Sequence, residues 1–148
     1  MAAVLLGLMR SGEPVAGLTW LPFTDQRYSA VVGGPLYVNG VAQAPLSPPK
    51  LADSITGIGT FNVDWRGRFP GGYRLEVLTN LSRFCSRLRM HGATGLDLAY
   101  VADGILCGAI TFGDHVWDYA AGVALVRAAG GIVTDLDGSG ERLVGEDD

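Results

Sequence analysis

The sequence predicts an α/β fold of the α+β kind, in which a meander of strands is followed by strands and helices in alternation. Residues 1–50 hold short apolar runs separated by turn residues, which is the pattern of antiparallel hairpins. Residues 51–137 alternate short apolar runs with segments of helical apolar spacing, which is the pattern of an α/β layer. The 148 residues are 48% apolar, enough to build a hydrophobic core.

The first region, residues 1–50, is expected to form the strands of one sheet. Its turns have recognisable chemistry, because Gly12 can adopt a positive φ and Asp25 can bond its own backbone two residues on. The first apolar run has no basic residue before it, so we interpret it as a buried strand rather than a signal peptide. Residues 42–50, rich in proline, are expected to cross to a second sheet. The predicted strands are 2–9, 15–21 and 28–32.

The second region, residues 51–137, precedes an acidic tail at 138–148 and is expected to alternate strands with helices. Its first helix has apolar residues at three-residue steps, which predict one buried stripe made of Leu75, Leu78, Leu81 and Phe84. Gly104 is expected to end the second helix, and Gly130 the third. The predicted strands are 51–58, 87–90, 105–110 and 132–136, and the predicted helices are 73–85, 96–102 and one that opens at Trp117.

Composition excludes several classes of function. A net charge of -4 and the lack of a run of Lys and Arg argue against nucleic acid as a partner. The sequence has no stretch of the ~20 apolar residues that a membrane span needs. Cys85 and Cys107 lack CxxC spacing and are interpreted as reduced thiols, which predicts a cytoplasmic protein. The sequence also contains no P-loop, GxSxG motif or zinc-ligand spacing.

Asp118 is the candidate metal ligand. It lies in the first turn of the Trp117 helix, where free backbone N–H groups and the helix dipole favour a negative charge. An isolated Asp at a helix start is usually only a cap, and that alternative stays open from the position alone.

The residues around Asp118 follow the order Trp-Asp-x-Ala-Ala-Gly-x-Ala-Leu-Val and then, after three residues, Gly-Gly. This order resembles the C-terminal signature of the inositol monophosphatase family of Mg²⁺-dependent phosphatases. The segments Gly33–Gly40 and Arg87–Gly95 also resemble elements of that family, so the resemblance covers residues 1–137.

The resemblance implies a layered α-β-α-β-α sugar-phosphatase-like fold. This chain would supply the later strands of the first sheet at 1–50 and the C-terminal α/β unit at 51–137. The fold is expected to be incomplete, since the family's Gly-Glu-Glu-like and Asp-Pro-Ile-Asp-Gly-Thr metal motifs precede the part matched here. An exposed apolar patch and an open sheet edge are therefore expected. The expected partner is a missing N-terminal half or a second copy in a homo-oligomer.

The resemblance further implies two-metal hydrolysis of a small polyol phosphate, with Mg²⁺ as cofactor and inositol 1-phosphate as the leading substrate. It assigns Asp118 to a metal ion and the loop Gly92, Ala93 and Thr94 to the polyol hydroxyls. Ala93 departs from the Ser or Thr usual in the family. Asp114 is a further candidate for the substrate pocket, and no residue is assigned as an acid, base or nucleophile.

Alternatives remain at each of these points. Histidinol phosphate, fructose 1,6-bisphosphate and adenosine 3′,5′-bisphosphate are rival substrates within the superfamily, and a catalytically silent remnant or interaction module is a rival function. Thr94 is as well explained as an N-cap of the second helix. His91 and His115 are expected to be structural, with His91 packing or bonding a carbonyl. Asp97 and Asp103 are expected to be solvated at the ends of a helix.

Overall fold

The computed structural model describes residues 2–47, 49–60, 62–112 and 115–139. Its helices are α1 (Gly71–Phe84), α2 (Thr94–Ala102) and α3 (Val116–Ala128). A 3₁₀ turn lies at Leu51–Asp53. The strands are β1 (Val4–Arg10), β2 (Glu13–Leu21), β3 (Gln26–Val31), β4 (Tyr37–Val38), β5 (Val41–Ala42), β6 (Ile55–Ile58), β7 (Arg87–Arg89) and β8 (Gly108–Ile110).

The first sheet is an antiparallel meander in the order β1-β2-β3-β4-β5. Two of its hairpins turn on pairs of residues with positive φ, Ser11-Gly12 at 53° and 81° and Asn39-Gly40 at 50° and 81°. Two consecutive positive φ angles give the turn twist that matches the twist of the flanking strands. The predicted meander and the predicted turn at Gly12 are confirmed.

The second sheet is parallel, in the order β7-β6-β8. Helix α1 connects β6 to β7, and α2 carries the chain from β7 back across β6 to β8. The two connections run in opposite directions along the sheet, so right-handed crossovers place α1 and α2 on opposite faces. The predicted alternation of strand and helix is confirmed.

Helices α2 and α3 form the layer between the two sheets. Helix α3 packs on β1, β2 and β3, while α2 packs on α3 and touches both β2 and β8. This layer carries the hydrophobic core, which includes Tyr28, Leu36, Leu96, Leu106 and Leu125. Small residues set the distance between the layers, because a Cβ on Gly17 would overlap the carbonyl oxygen of Ala121 and a Cβ on Gly122 would overlap the Leu98 side chain.

The outer face of the first sheet is an exposed apolar surface. An open groove of about 490 Å³ lies on it, lined by residues that include Leu6, Leu8, Leu18, Val31 and Tyr37. Leu6 is 70% exposed and Leu8 is 62% exposed. The expected apolar patch is therefore confirmed. The expectation that the first strand is buried is wrong, since β1 forms an edge of the sheet and only its inner face meets the helices.

The predicted buried stripe of α1 forms only in part. Leu78 and Leu81 are half-buried, Leu75 is 41% exposed and Phe84 is 61% exposed, whereas Gly71 and Arg74 are the buried residues of this helix. Arg74 holds the first turn of α1, because its guanidinium donates hydrogen bonds to carbonyl oxygens of the neighbouring loops.

The predicted strand at 132–136 does not form among the described residues, where only Thr134 makes an isolated bridge. Ile132 is 87% exposed, while Val133 is half-buried against the hydrophobic core. No helix in the described part of the chain is long and apolar enough to cross a membrane.

Gly17→Ala is expected to destabilise the fold by about 2 kcal/mol, because the added methyl group meets helix backbone that cannot rotate away. Gly72→Ala is the matched control, since a Cβ there meets nothing within 4 Å and alanine favours helix. Urea unfolding followed by circular dichroism gives both free energies. Equal unfolding midpoints for Gly17→Ala and the wild type would contradict the close contact between β2 and α3.

Tyr28 links the pH dependence of stability to the core. Its side chain is fully buried and its hydroxyl donates a hydrogen bond to Asp103 at 3.1 Å. Burial first, and then the charge of Asp103, raise the pKa of Tyr28 well above its ordinary value of about 10. A raised folded-state pKa gives stability that is present below the unfolded pKa and is lost as the pH rises through the folded value.

Tyr28→Phe is therefore expected to lower the unfolding free energy at pH 8 and to weaken its decline above pH 10. The difference between the two proteins should narrow as the pH rises, which urea titrations at several pH values measure. Tyr73→Phe, at an exposed position, serves as the control. If the unfolding free energies of the wild type and Tyr28→Phe changed with pH in parallel, the pH dependence could not be assigned to Tyr28.

Candidate functional site

The topology of the second sheet creates a crevice at its carboxyl edge. Strands β6 and β7 are parallel neighbours, and the connections that leave them run to opposite faces of the sheet. Ligands of open α/β sheets bind in the crevice outside the carboxyl ends of strands at such a switch point. The segments that leave these two strands begin at Gly59 and at Met90.

A cavity of about 70 Å³ occupies this crevice. It brings together the three predicted loop residues Gly92, Ala93 and Thr94. Sequence reasoning did not assign the other lining residues, Gly59, Thr60, Asp97 and Phe112. Gly59 and Thr60 follow β6 directly. Residues at the carboxyl end of a strand with a parallel neighbour commonly line a ligand site, and this position could have identified them from the sequence.

The cavity lies against the first turn of α2. Gly92 has a φ of +69°, and a Cβ there would lie 3.2 Å from the Thr60 methyl group, so the loop is narrow at this point. Ala93, in extended conformation, is the N-cap of α2, and Thr94 is the first helical residue. The alternative that Thr94 is the N-cap is therefore wrong, because the helix begins at Thr94, two residues before the predicted start at 96.

His91 and Asp97 form a hydrogen-bonded pair beside the cavity. The Nδ1 atom of His91 lies 2.5 Å from Oδ1 of Asp97, and the Asp97 side chain is 3% exposed. The His91 ring also meets the Tyr100 ring edge-on, with 6.0 Å between centroids. Of the two expectations for His91, packing is confirmed by the Tyr100 contact, whereas its hydrogen-bond partner is a carboxylate and not a carbonyl. The expectation of a solvated Asp97 is wrong. The reason is that the first turn of α2 points Asp97 at β6, where a Cβ on Gly57 would lie 3.4 Å from its carboxyl carbon.

Asp103 was also expected to be solvated, but it is half-buried and accepts the hydroxyl of Tyr28, a residue of the core, at 3.1 Å. A buried hydroxyl needs a partner, and the end of α2 supplies it.

Arg74 joins α1 to two of the cavity residues. Its guanidinium donates to the carbonyl oxygens of Thr60 at 3.3 Å, Phe112 at 3.4 Å and Phe69 at 2.7 Å. It also lies 4.9 Å from the centre of the Phe112 ring. Arg74 therefore ties together the loops that follow β6 and β8. Sequence reasoning missed it, since nothing in the pattern separates it from the exposed arginines.

Asp118 lies in the first turn of α3, as predicted, and is half-buried. Its Oδ2 atom accepts the backbone N–H of His115 at 3.2 Å, and the His115 carbonyl accepts the N–H of Asp118 at 2.8 Å. The His115 ring stacks on Trp117, with 4.4 Å between centroids. Asp118 thus has the geometry of a capping residue, and His115 has contacts that fit a structural role.

Asp118 is not among the residues that line the 70 Å³ cavity. Because α3 follows β8 as α2 follows β7, both helices begin near the carboxyl edge of the sheet. Helix N-termini favour negative charge, so this edge suits an anion such as a phosphate. The candidate residue Asp114 lies outside the described residues.

The described residues fit only part of a magnesium site. Mg²⁺ requires six oxygen ligands in near-octahedral geometry and is commonly held by one or two carboxylates with water and phosphate. Within the described ranges no group of three or more His, Cys, Asp or Glu side chains comes together. Asp118 fits one ligand position, and its bond to the His115 amide fixes how the carboxylate is turned.

Comparison with known proteins supports this description of the fold. The chain resembles the inositol monophosphatase from a species of Anabaena (Nostoc), with a TM-score of 0.84 and 30% identity over 95% of this chain and 55% of that one. It resembles an inositol monophosphatase of Thermotoga maritima with a TM-score of 0.81 and 26% identity, over 95% and 52% of the two chains. The predicted sugar-phosphatase-like architecture is confirmed.

Comparison with sequence relatives agrees with this description of the fold. The chain is 74% identical over 139 residues to inositol-1-monophosphatase ImpA of Mycolicibacterium smegmatis, across 94% of this chain and 50% of that protein. It is 69% identical over 138 residues to the probable inositol 1-monophosphatase ImpA of Mycobacterium tuberculosis, across 93% and 51%. The chain spans about half the length of these curated relatives. Residues 1–148 match the family model described as "Inositol monophosphatase family". The chain therefore belongs to the inositol monophosphatase family.

Proposed function

We propose that this chain carries the polyol-binding crevice and one metal-binding carboxylate of a Mg²⁺-dependent phosphatase for a small polyol phosphate, with inositol 1-phosphate as the leading substrate. The observation that carries the proposal is the crevice between the carboxyl ends of β6 and β7, which is lined by the Gly92–Thr94 loop and lies near the starts of two helices. Family membership supplies the chemical class of the reaction.

The crevice suits a hydroxylated ligand rather than an apolar one. Thr60, Thr94 and Asp97 are polar lining residues, and the 70 Å³ volume has room for only part of a polyol ring. Drug-sized ligands need about 300 Å³ or more, so the rest of the substrate would extend out of the cavity toward the edge of the sheet. The phosphate of such a ligand would then lie near the helix N-termini, where backbone N–H groups stabilise an anion.

Asp118 would contribute one oxygen to the metal. When bound, Mg²⁺ supplies charge stabilisation at the phosphate and lowers the pKa of a coordinated water. The His115 amide holds Oδ2 of Asp118 and so orients the carboxylate. The remaining ligand positions would be filled by water, by substrate and by carboxylates beyond the described residues, which is why the proposal includes further polypeptide from the same family.

Phosphate release from inositol 1-phosphate tests the proposal in two proteins. One is this chain alone. The other is a chimera that joins it to the part of the M. smegmatis ImpA that it does not match. The chimera is expected to release phosphate in the presence of Mg²⁺, and this release is expected to stop when EDTA is added. A folded chimera that hydrolyses none of the four candidate phosphates would refute the proposal and support a catalytically silent chain.

Asp118→Asn in the chimera separates the two roles of this residue. Asparagine keeps an oxygen that can accept the His115 N–H but removes the charge that a metal requires. Turnover is expected to fall by at least about a hundredfold. Residues that only hydrogen-bond to a metal ligand contribute up to about a hundredfold to activity, and the ligand itself should contribute no less. Asp25→Asn, at an exposed turn, is the matched control. Activity of Asp118→Asn within a few-fold of wild type, with an unchanged melting temperature, would leave Asp118 with a capping role alone.

Thr94→Val in the same chimera is expected to raise KM for inositol 1-phosphate roughly threefold to tenfold, as the loss of one hydrogen bond implies. The kcat should change little, because the hydroxyl would bind the polyol equally in the ground and transition states. Thr94→Ser, which keeps the hydroxyl, should restore KM. Steady-state kinetics measure both, and an unchanged KM for Thr94→Val would remove Thr94 from the binding site.

A further inference from the structure

The loop that lines the crevice is tied to α2 at both of its ends. At its C-terminal end, the Ala93 carbonyl accepts the backbone N–H groups of Leu96 at 3.1 Å and Asp97 at 3.0 Å. At its N-terminal end, the side chain of His91 reaches the carboxylate of Asp97. The pair therefore closes a loop from 91 to 97 that contains Gly92, Ala93 and Thr94.

Asp97 is a rigid anchor for this closure. Its side chain is 3% exposed, it lies in the first turn of a helix packed between two sheets, and a Cβ on Gly57 of β6 would lie 3.4 Å from its carboxyl carbon. A buried carboxylate requires hydrogen-bond donors, so the His91 partner is costly to remove. An ionised Asp97 carboxylate can only accept, so in that state Nδ1 of His91 carries the hydrogen of this bond.

The ring of His91 is held in a second direction by Tyr100, three residues after Asp97 on the same face of α2. Two contacts with one rigid helix leave the His91 side chain little freedom. Gly92, the next residue, turns with a φ of +69°, and Ala93 is extended with a φ of -148°. Neither residue is part of a helix or a strand, so the conformation of the loop depends on how its ends are fastened.

We propose that His91 is a positioning residue for the polyol: through its bond to the buried Asp97, it holds Gly92, Ala93 and Thr94 in the shape that accepts the substrate hydroxyls. This inference rests on the proposed function for the identity of the ligand. The claim that His91 fastens the loop rests on the geometry alone. His91 itself is absent from the cavity lining, so it acts through the loop and not by contact.

The fastening is tested first in the chain itself, by NMR of the backbone amides. His91→Leu removes the donor at similar size, whereas His91→Asn keeps an N–H near the position of Nδ1. His91→Leu is expected to shift the amide resonances of Gly92, Ala93 and Thr94 and to lower their order parameters, and His91→Asn to leave both near wild type. Asp97→Leu, which removes the acceptor at similar size, should resemble His91→Leu, and Asp25→Asn is the control. Unchanged loop amides in His91→Leu would overturn the proposal.

The consequence for substrate is tested in the chimera. His91→Leu is expected to raise KM for inositol 1-phosphate about tenfold with kcat within about twofold, and His91→Asn to return KM to within about threefold of wild type. An unchanged KM in an active His91→Leu chimera, or no rescue by His91→Asn, would overturn the positioning role while the proposed function survived. If the wild-type chimera releases no phosphate, the proposed function fails, and the amide measurement still decides whether His91 fastens the loop.

Discussion

The close contact between α3 and the first sheet sets the arrangement of everything else in this chain. Gly17 of β2 lies directly against the backbone of Ala121, and Gly122 on the same helix admits the side chain of Leu98 from α2. Because neither glycine carries a Cβ, sheet, α3 and α2 approach closely enough to exclude water from the layer between them. The second sheet packs on α2, so the position of its carboxyl edge follows from this stack of small residues.

The geometry of the candidate site is set by the carboxyl edge of the second sheet. Strands β6 and β7 end side by side, their connections leave toward opposite faces, and the loop at Gly92 folds over the space between them. Polar groups buried around this space are fastened to backbone or to each other: Arg74 to three carbonyls, and Asp97 to His91. Such bonds make the crevice a shaped feature of the fold and not a gap between flexible loops.

The exposed apolar face of the first sheet belongs to the same physical picture. Antiparallel sheets with one wet face alternate apolar and polar residues, but here Leu6, Leu8 and Leu18 point outward while the inner face also packs on helices. Large exposed apolar surfaces are typical of sites that contact another surface. The chain spans about half the length of its curated relatives.

Local sequence determined the parts of the structure that local physics controls. Ser11-Gly12 and Asn39-Gly40 can adopt the positive φ angles that hairpins need, and an Asp in the first turn of an apolar segment starts α3. The family resemblance, which rests mainly on the residues around Asp118, also predicted the layered architecture. All of these depend on residues that are close in the chain.

Only the tertiary structure decided which polar residues are buried and which apolar ones are not. Asp97 resembles any solvated helix residue until α2 is packed near β6, and Leu75 resembles a core residue until the structure shows that its side of α1 is exposed. Likewise, the run at 132–136 has strand-like residues but forms only an isolated bridge at Thr134. Burial is set by neighbours that are distant in the chain, and one helix's own pattern carries no information about what covers it.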